Sequence, residues 1–512
     1  ITLKLTSSDT RLSFDTFASN LELCPQERKV SLLLYAEIPA VVFSLEFLLM
    51  VGVDMFKTAP PRYIANRESL VRTELHADVL EVVEAGLKAA DPESSVRSAL
   101  SREGDIVCVL SECFSVTGKV HVIGFGKAGL RMSLGCESVL GDLIAGGVVI
   151  VPSIGGSPRL PKKIEVVEGE HPIPGEKTLQ ASRRLIKYVE ENLHAEDVVI
   201  VLISGGGSAL FEIPHPPLTL DDIAITTNAL MKAGADIVEL NTVRKHLSMV
   251  KGGRLLNFVR KASRIISLII SDVVGDPIEF IASGPTEADT TTYRDTYEVL
   301  LRRGVWDTLP NNVRDLVLSG LSGKIPETVK PGDPLLGKVR NIVVASNMIS
   351  LRDMEKKAIE LGYKATILTS MMVGEAREVG RFLGSIARHI TKYKQPGEKL
   401  MLLLGGETTV TVRGHGRGGR NQELCVGFSL SARGLRNAVL ASIGSDGIDG
   451  NSPAAGGVCD GLLVDEALNA GLDPHKYLSN NDTYTLLSKL GRAIITGPTG
   501  TNVNDLVVLA VW

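Results

Sequence analysis

The chain has 512 residues, of which 44% are hydrophobic and 22% are charged, and its formal net charge is −4. This profile excludes a disordered or fibrous protein, and the length exceeds what one hydrophobic core usually organises, so we expect two α/β domains. The net charge provides no general attraction for nucleic acid or for an anionic membrane, and we predict that neither is a partner.

Residues 1–54 form an extension of uncertain status. Its apolar part, residues 30–56, is interrupted by Glu37 and Glu46, and the uninterrupted apolar runs are too short to cross a bilayer. Two interpretations stay open: upstream or non-native sequence, with a natural start at Met50 or Met55, and a helical extension that packs on the body. The start of the chain shows no pattern of a secretory leader, which predicts a cytoplasmic protein.

The first predicted domain spans residues 55–330. Residues 66–100 should be helical, because apolar side chains recur on one face at helical spacing. Short β-branched strands then alternate with helices, a pattern typical of a parallel sheet covered on both faces. We therefore predict a Rossmann-like parallel-sheet N-terminal domain, with strands at 120–123, 147–151, 198–203 and 265–270.

A stretch rich in proline, glycine and lysine at 323–337 marks the predicted boundary between the domains. Beyond it, strands are predicted at 342–345, 365–368, 399–404 and 438–443, within a smaller α/β C-terminal domain over residues 331–512. Ligands of such sheets bind at the carboxyl ends of the strands. We therefore expect an active site in the cleft between the two domains.

The six cysteines are scattered along the chain, and none belongs to a CxxC pair with the spacing of a zinc site. We expect them to be reduced thiols in the protein core. They are Cys24, Cys108, Cys113, Cys136, Cys425 and Cys459.

Gly124, Gly126 and Gly129 form a GxGxxG between a predicted strand and a helix, as in dinucleotide-binding turns. Such turns expect an acid about 20 residues later to hold the ribose, and the next strand ends without one. Lys127 instead places a cation at a helix N-terminus, which suits phosphate oxygens. A tight turn with a solvated lysine is the structural alternative.

A second glycine turn, SGGGSA at 204–209, follows the strongest predicted strand. Gly205, Gly206 and Gly207 would let main-chain N–H groups approach an anion, although a structural turn is the alternative. A serine hydrolase is rejected, because Ser208 lacks the GxSxG pattern. Arg254, beside a glycine pair in a basic stretch, could hold a substrate carboxylate bidentately, while a solvated helix face is the alternative.

Acidic side chains also follow predicted strands. Asp272 comes after the strand that ends near residue 270, and Asp446 and Asp449 come after the strand at 438–443. Such carboxylates can bind Mg²⁺ or accept a hydroxyl proton, although for Asp272 an ordinary loop acid is an equal alternative. Arg420 lies among glycines at a helix start, where an arginine is costly to hold without an anionic partner.

Together these segments resemble the class II glycerate 2-kinases, which join a Rossmann-like N-terminal domain to a C-terminal domain called MOFRL. The resemblance extends roughly from residue 67 to residue 512. It rests on GFGKAG from Gly124, EHPIPGEKT from Glu170, ISGGGSALFEIP from Ile203, NTVRKHLSMVKGGRL from Asn241, SDVVGDPIEFIASGPT from Ser271, GGETTV from Gly405, GRGGRNQE from Gly416 and SDGIDG from Ser445.

The resemblance implies phosphorylation of D-glycerate at its 2-hydroxyl, with ATP and Mg²⁺ as cofactors. Lys127, Arg420 and Asp446 are then the predicted catalytic residues. Substrate would be held by Gly205, Gly206, Gly207, Ser208 and Arg254, nucleotide by Gly126, Glu407, Asn421 and Asn504, and Mg²⁺ by Asp272 and Asp449. The oligomeric state, including a homo-oligomer, is left open.

Two other functions stay open. Some relatives have been labelled hydroxypyruvate reductases, and the GxGxxG would suit an NAD(P)-dependent reductase, but the missing ribose acid opposes it. A non-catalytic nucleotide-sensing module is the other alternative. It is disfavoured because both halves place charged residues on glycine turns.

Overall fold

Two six-stranded sheets and one three-stranded sheet organise the part of the chain that the computed structural model describes, residues 62–155 and 159–512. The expected extension at 1–54 and the start of the predicted first domain lie outside the described residues. The segment from Arg62 to Trp512 forms one compact unit. Within the described residues, no helix is both long and apolar enough to span a bilayer.

The predicted helical region at 66–100 is confirmed as three successive helices, α1 (Arg67–Leu70), α2 (Glu74–Ala89) and α3 (Pro92–Ala99). Asp91 ends the helical run before α3, because its side chain caps that helix by accepting from Ser94 N at 2.9 Å. An antiparallel sheet of β1 (Leu100–Glu103), β2 (Ile106–Val109) and β3 (Glu112–Ser115) follows.

The small sheet corrects one sequence expectation. Cys108 and Cys113 stand directly opposite each other on β2 and β3 and form a disulfide, so they are not reduced core thiols. The expectation of buried free thiols is confirmed for Cys136, Cys425 and Cys459. Cys24 lies outside the described residues.

The first six-stranded sheet is parallel throughout, as predicted. Its four central strands are largely apolar and buried on both faces, whereas the two edge strands also carry polar and exposed residues. Its spatial order is β6-β5-β4-β7-β8-β9. The strands are β4 (Val120–Phe125), β5 (Ile144–Val151), β6 (Ile164–Glu168), β7 (Val198–Ile203), β8 (Arg264–Ile270) and β9 (Val339–Ala345).

Helices cover both faces of this sheet. Val122 on β4 packs in one core with α4, and its neighbour Ile123 packs in another with α5, as the alternation of side chains along a strand requires. A separate hydrophobic core is formed between the helices of residues 218–317. The helices are α4 (Gly129–Leu140), α5 (Glu176–Asn192), α6 (Gly207–Leu210), α7 (Leu220–Lys232), α8 (Ile237–Leu247), α9 (Leu255–Val259), α10 (Tyr293–Arg302) and α11 (Asn311–Leu321).

The second six-stranded sheet is mixed, in the order β10-β11-β15-β12-β13-β14, and only β10 and β11 run parallel. Its strands are β10 (Lys364–Met372), β11 (Leu400–Gly406), β12 (Ala438–Gly444), β13 (Gly456–Asp460), β14 (Ala493–Ile494) and β15 (Asp505–Val511). Its helices are α12 (Asn347–Glu360), α13 (Ala376–Tyr393), α14 (Arg420–Ala432), α15 (Leu463–Asn469), α16 (Pro474–Ser479) and α17 (Thr483–Lys489).

Two elements pack with the sheet on the other side of the predicted domain boundary between residues 330 and 331. We expected the strand at 342–345 to open the second series, which was wrong, because β9 pairs with β8 of the first sheet. In the opposite sense, α2 precedes the first sheet but buries its apolar face in the core of the second, against Met401 and Val508. The division at 330 and 331 therefore stays a prediction, and a division by sheets would place β9 with the first and α2 with the second.

Candidate active site

The side chain of Asn504, directly before β15, joins turns of the two large sheets. Its Nδ2 donates to the main-chain carbonyl of Asp272, after β8, at 3.0 Å, and to Oε2 of Glu407, after β11, at 3.2 Å. Both acids follow the carboxyl ends of their strands. The predicted residues Asp272, Glu407 and Asn504 therefore lie together, although they are far apart in the sequence.

The two glycine turns of the first sheet are fastened to each other. Lys127 N donates to the carbonyl of Gly205 at 2.9 Å, and Ala128 N donates to Ser204 Oγ at 3.1 Å. Gly126 has a φ of 131°, and a Cβ there would overlap Ser204, so only glycine fits. Its N–H is already bonded to the Ile150 carbonyl at 3.1 Å, so Gly126 shapes the turn and offers no free donor to a nucleotide.

Lys127 and His171 flank the second turn. An added Cβ on Gly206 would lie 3.3 Å from Cε of Lys127 and 3.0 Å from Nε2 of His171. Burial, together with the nearby Lys127 charge, lowers the pKa of His171. His171 was not among the predicted site residues, and only its place in the EHPIPGEKT motif could have indicated it.

The predicted anion cradle is present in part. The N–H of Gly207 donates to the carbonyl of Ser204 at 3.2 Å, whereas those of Gly205 and Gly206 make no hydrogen bond within the described chain. Two donors therefore remain for a ligand, next to the Lys127 side chain, which is exposed.

The carboxylate of Asp272 lies against this turn, where a Cβ on Gly205 would overlap its Oδ2. Burial raises the pKa of Asp272, Glu407 adds to that effect, and the Lys127 charge opposes it. Its side chain takes no hydrogen bond from another side chain within the described residues. Asp272 is therefore a carboxylate that can still receive a cation or a proton.

Arg420, at the start of α14, is held by two carboxylates. Its Nε and Nη2 donate to Oδ2 and Oδ1 of Asp505 at 2.6 and 2.9 Å, and its Nη1 lies 3.1 Å from Glu407 Oε1. Burial raises the pKa of Asp505 to about 6, although Arg420 opposes the shift. The guanidinium is thus fixed in direction, and sequence reasoning missed Asp505 as the residue that fixes it.

Asp446 and Asp449 differ sharply in their surroundings, although both follow β12. Asp446 Oδ1 accepts from Ile448 N at 3.1 Å, and its other carboxylate oxygen has no donor within the described chain. Asp449 is 1% exposed and caps α14, where each of its two oxygens accepts two hydrogen bonds from Asn421 and Gln422. Asp449 therefore has no oxygen free for the predicted Mg²⁺ contact.

Asn421 is equally occupied. Its Nδ2 donates to Asp505 Oδ1 at 2.9 Å as well as to Asp449, and its Oδ1 accepts from Ser442 Oγ at 2.6 Å. The predicted nucleotide contact is therefore replaced by a structural one, because this amide holds α14 against β12 and β15.

Ser208 is joined to α8 through Ser283. The two hydroxyl oxygens are 2.9 Å apart, and Ser283 Oγ donates to Asn241 Oδ1 at 2.9 Å. A hydroxyl has only one proton, so Ser208 must be the donor of the serine pair. Its Oγ can then only accept from a ligand, which suits a substrate hydroxyl better than the carboxylate we expected it to hold.

Arg254 does not face a ligand. It is 5% exposed, and its guanidinium donates to the carbonyls of Ser248 at 2.7 Å and Pro326 at 3.1 Å, to that of Lys245 at 3.3 Å, and to Tyr293 Oη at 3.1 Å. These bonds use its donors to hold the loops after α8 and α11. The predicted carboxylate contact is therefore not supported, because burial and hydrogen bonding give this arginine a structural role.

Comparisons with known proteins match both halves of the chain. Family models match a domain of unknown function (DUF4147) at residues 78–318 and the MOFRL family at residues 400–505. The glycerate 2-kinase of Pyrococcus horikoshii is 41% identical over 434 residues, which cover 84% of this chain and 96% of that protein. The ranges that the two family models match include the turns that carry Lys127 and Arg420.

A solved structure and one relative that carries a different enzyme name are also similar to this chain. The crystal structure of a glycerate kinase from Thermotoga maritima is 37% identical, with a TM-score of 0.75 over 84% of this chain and 98% of that one. A putative hydroxypyruvate reductase from Agrobacterium vitis is 35% identical and covers 84% of this chain and 93% of its own.

Proposed function

The chain belongs to the glycerate 2-kinase family, and we propose that it transfers the γ-phosphoryl group of ATP to the 2-hydroxyl of D-glycerate, forming 2-phosphoglycerate and ADP. One observation carries the proposal. Asn504 joins Asp272, beside Lys127, to Glu407, beside Arg420, and so brings two cations on glycine turns to one place. Phosphoryl transfer depends on such positioning and charge neutralisation more than on covalent chemistry.

The two cations have different supports and therefore different roles. Arg420 is fixed by Asp505 and Glu407 and would hold the phosphate chain in a constant position. Lys127 is exposed, makes no ion pair within the described residues, and can follow the phosphoryl group as it moves between oxygens. Asp446, which has one carboxylate oxygen without a donor in the described part of the chain, would orient the 2-hydroxyl and accept its proton.

Asp272 fits the Mg²⁺ that an ATP-dependent kinase uses. The described residues hold no cluster of three or more metal-binding side chains, but Mg²⁺ in kinases is usually held by one or two carboxylates and the substrate phosphates. The Asp272 carboxylate takes no hydrogen bond from another side chain within the described residues and would provide that contact. When bound, the ion neutralises phosphate charge. Glu407 and Asn504 would position Arg420 and the turn that carries Asp272. A cytoplasmic location is proposed as well, and the oligomeric state is left open.

The second candidate, an NAD(P)-dependent hydroxypyruvate reductase, is favoured only by the name of the Agrobacterium vitis relative and by the GxGxxG. The segment after β5 brings no acid to hold a ribose, because β5 ends at Val151 and is followed by Pro152 and Ser153. Oxidation of NADH or NADPH with hydroxypyruvate, followed by absorbance, tests it directly.

³¹P NMR of the full chain with MgATP and D-glycerate tests the kinase. We expect 2-phosphoglycerate and ADP from the wild type, and a loss of at least about 1,000-fold in Lys127→Ala and Asp446→Asn. Lys187→Ala, which removes an exposed lysine on α5, is the matched control and should retain full activity. A 3-phosphoglycerate signal would overturn the position of transfer, and consumption of NADH without phosphoryl transfer would replace the kinase by the reductase.

A further inference from the structure

Helix α8 presents two polar side chains to the SGGGSA turn. Asn241 and Arg244 are three residues apart, so they lie on the same face of the helix. Asn241 reaches the turn through Ser283 and Ser208, and Arg244 Nη2 donates to the carbonyl of Ser208 at 3.3 Å. The guanidinium of Arg244 thus contacts the turn whose Gly205 and Gly206 amides have no acceptor among the described residues.

The charge of Arg244 is not matched by a carboxylate. The residue makes no ion pair within the described part of the chain, and its buried Nε has no hydrogen-bond acceptor there. The nearest acid to influence it is Glu212, which is itself paired with the buried Lys251, Oε2 to Nζ at 2.5 Å. A partly buried cation left in this condition is costly, and an anionic ligand would remove that cost.

We propose that Arg244, and not Arg254, binds the carboxylate of the hydroxy acid substrate and makes the enzyme specific for it. The assignment rests on the proposed function. A guanidinium can donate two parallel hydrogen bonds to a carboxylate, and Arg244 Nε and the Gly205 and Gly206 amides, on the turn that Arg244 contacts, are donors without an acceptor among the described residues. Ser208 Oγ, restricted to accepting, would accept a hydrogen bond from a hydroxyl of the same substrate.

The assignment also explains what such a site would reject. A polyol or an amide of the same length could occupy the turn but would leave the Arg244 charge without a partner. Selectivity for an acid over its neutral analogue should therefore depend on this one side chain. Selectivity between nucleotides should not, because Arg244 contacts the turn of the first sheet and none of the residues around Arg420.

The experiment compares Arg244→Met and Arg244→Lys with wild type, and with Arg184→Met, which removes an exposed arginine on α5, as the matched control. Calorimetric titration with D-glycerate in the absence of ATP is the first measurement. The second is kcat/KM for D-glycerate and for glyceramide, its neutral analogue. We expect Arg244→Met to bind D-glycerate about 30- to 100-fold more weakly, with an unchanged KM for ATP.

The ratio of kcat/KM for D-glycerate over glyceramide should fall by a similar factor in Arg244→Met, partly in Arg244→Lys, and not in Arg184→Met. An unchanged ratio, or an equal loss for both compounds and for ATP, would overturn the assignment. If Arg244→Met does not fold, Arg244→Lys provides the test, because lysine keeps the positive charge but cannot donate two parallel hydrogen bonds to a carboxylate. If the wild type binds D-glycerate without phosphorylating it, the proposed kinase function is wrong, and the binding data still test the role of Arg244. If the wild type binds no D-glycerate, the assignment of Arg244 is wrong.

Discussion

Gly205 and Asp272 lie so close together that a single added methyl group on Gly205 would overlap the Asp272 carboxylate. Gly205 has no left-handed φ, so space, and not backbone conformation, is what excludes a side chain there. We predict that Gly205→Ala displaces Asp272 and lowers kcat/KM about 100-fold, because small misplacements of reacting groups have effects of that size. A steady-state assay of ADP release measures it.

Two further variants separate this cause from a general effect of alanine. Gly337→Ala is the matched control, because a Cβ there meets nothing within 4 Å, and it should keep full activity. In an Asp272→Ala background the carboxylate is gone, so adding Gly205→Ala should cost no further stability. Thermal melts measure both steps. If Gly205→Ala lowered the Tm as much in the Asp272→Ala background as it does in wild type, the proposed overlap would be contradicted.

Asn504 should be needed for activity more than for folding. It has a φ of 64°, which asparagine and glycine tolerate, so Asn504→Gly removes the amide without straining the backbone. We expect kcat/KM to fall about 10- to 100-fold, because the turns that carry Asp272 and Glu407 lose their shared donor. Asn504→Asp should be worse still, since it sets a carboxylate against Glu407. If both variants kept the kcat/KM of wild type, the hydrogen bonds of Asn504 to the two turns would be shown to be unimportant for activity.

The helix that carries Arg244 depends on an acid at its start, which makes its stability sensitive to pH. Glu239 is 9% exposed in its side chain, and hydrogen bonding from Arg303 is the main cause that lowers its pKa to about 2, assisted by Arg302 and Asp236 N–H against the effect of burial. The folded pKa lies below the ordinary value near 4.5, so this contribution is present above pH 4.5 and is lost as the pH falls from 4.5 toward 2.

We therefore predict that Glu239→Gln lowers the free energy of unfolding at pH 7 by about 1 kcal/mol, a value reduced for the solvent exposure of Arg302, or about 2 °C in Tm. The difference between variant and wild type should shrink between pH 4.5 and pH 3. Glu191→Gln, at an exposed ion pair with Lys187, is the control and should melt with wild type at every pH. A difference that grew on acidification would refute the assignment.

Most of what the sequence predicted correctly is local. The buried strands of both sheets were recognisable because each is a short, mainly apolar run followed by polar residues or glycine, and these runs fall at β4, β7, β8 and β12. The glycine turns at Gly126 and at residues 205–207, directly after β4 and β7, could therefore be located from the sequence, whereas the catalytic roles of Lys127 and Arg420 stay predictions. Such predictions need only the order of residues within about ten positions.

The failures depend on partners far apart in the chain. Arg420 is oriented by Asp505, 85 residues away, and that pairing exists only because β15 runs antiparallel between β11 and β12. Arg254 appeared suited to a ligand until the loops after α8 and α11 supplied carbonyls for its donors. Cys108 and Cys113 looked like isolated thiols because only the hairpin places them opposite each other.

The two acids predicted to hold Mg²⁺ should respond in opposite ways to amidation. Asp449→Asn replaces one of the two carboxylate oxygens by an NH₂ group, which loses two of the four hydrogen bonds at the start of α14 and sets donor against donor there, so we expect it to destabilise the fold by about 2–4 kcal/mol while the Mg²⁺ concentration for half-maximal activity stays the same. Asp272→Asn removes a carboxylate that burial disfavours, so its Tm should hold or rise while the Mg²⁺ requirement increases at least about 10-fold. Thermal melts and Mg²⁺ titrations of ADP release on both variants measure these effects. An Asp449→Asn enzyme with wild-type Tm and a raised Mg²⁺ requirement would return Asp449 to the metal, because an unchanged Tm would mean that its hydrogen bonds at α14 do not stabilise the fold.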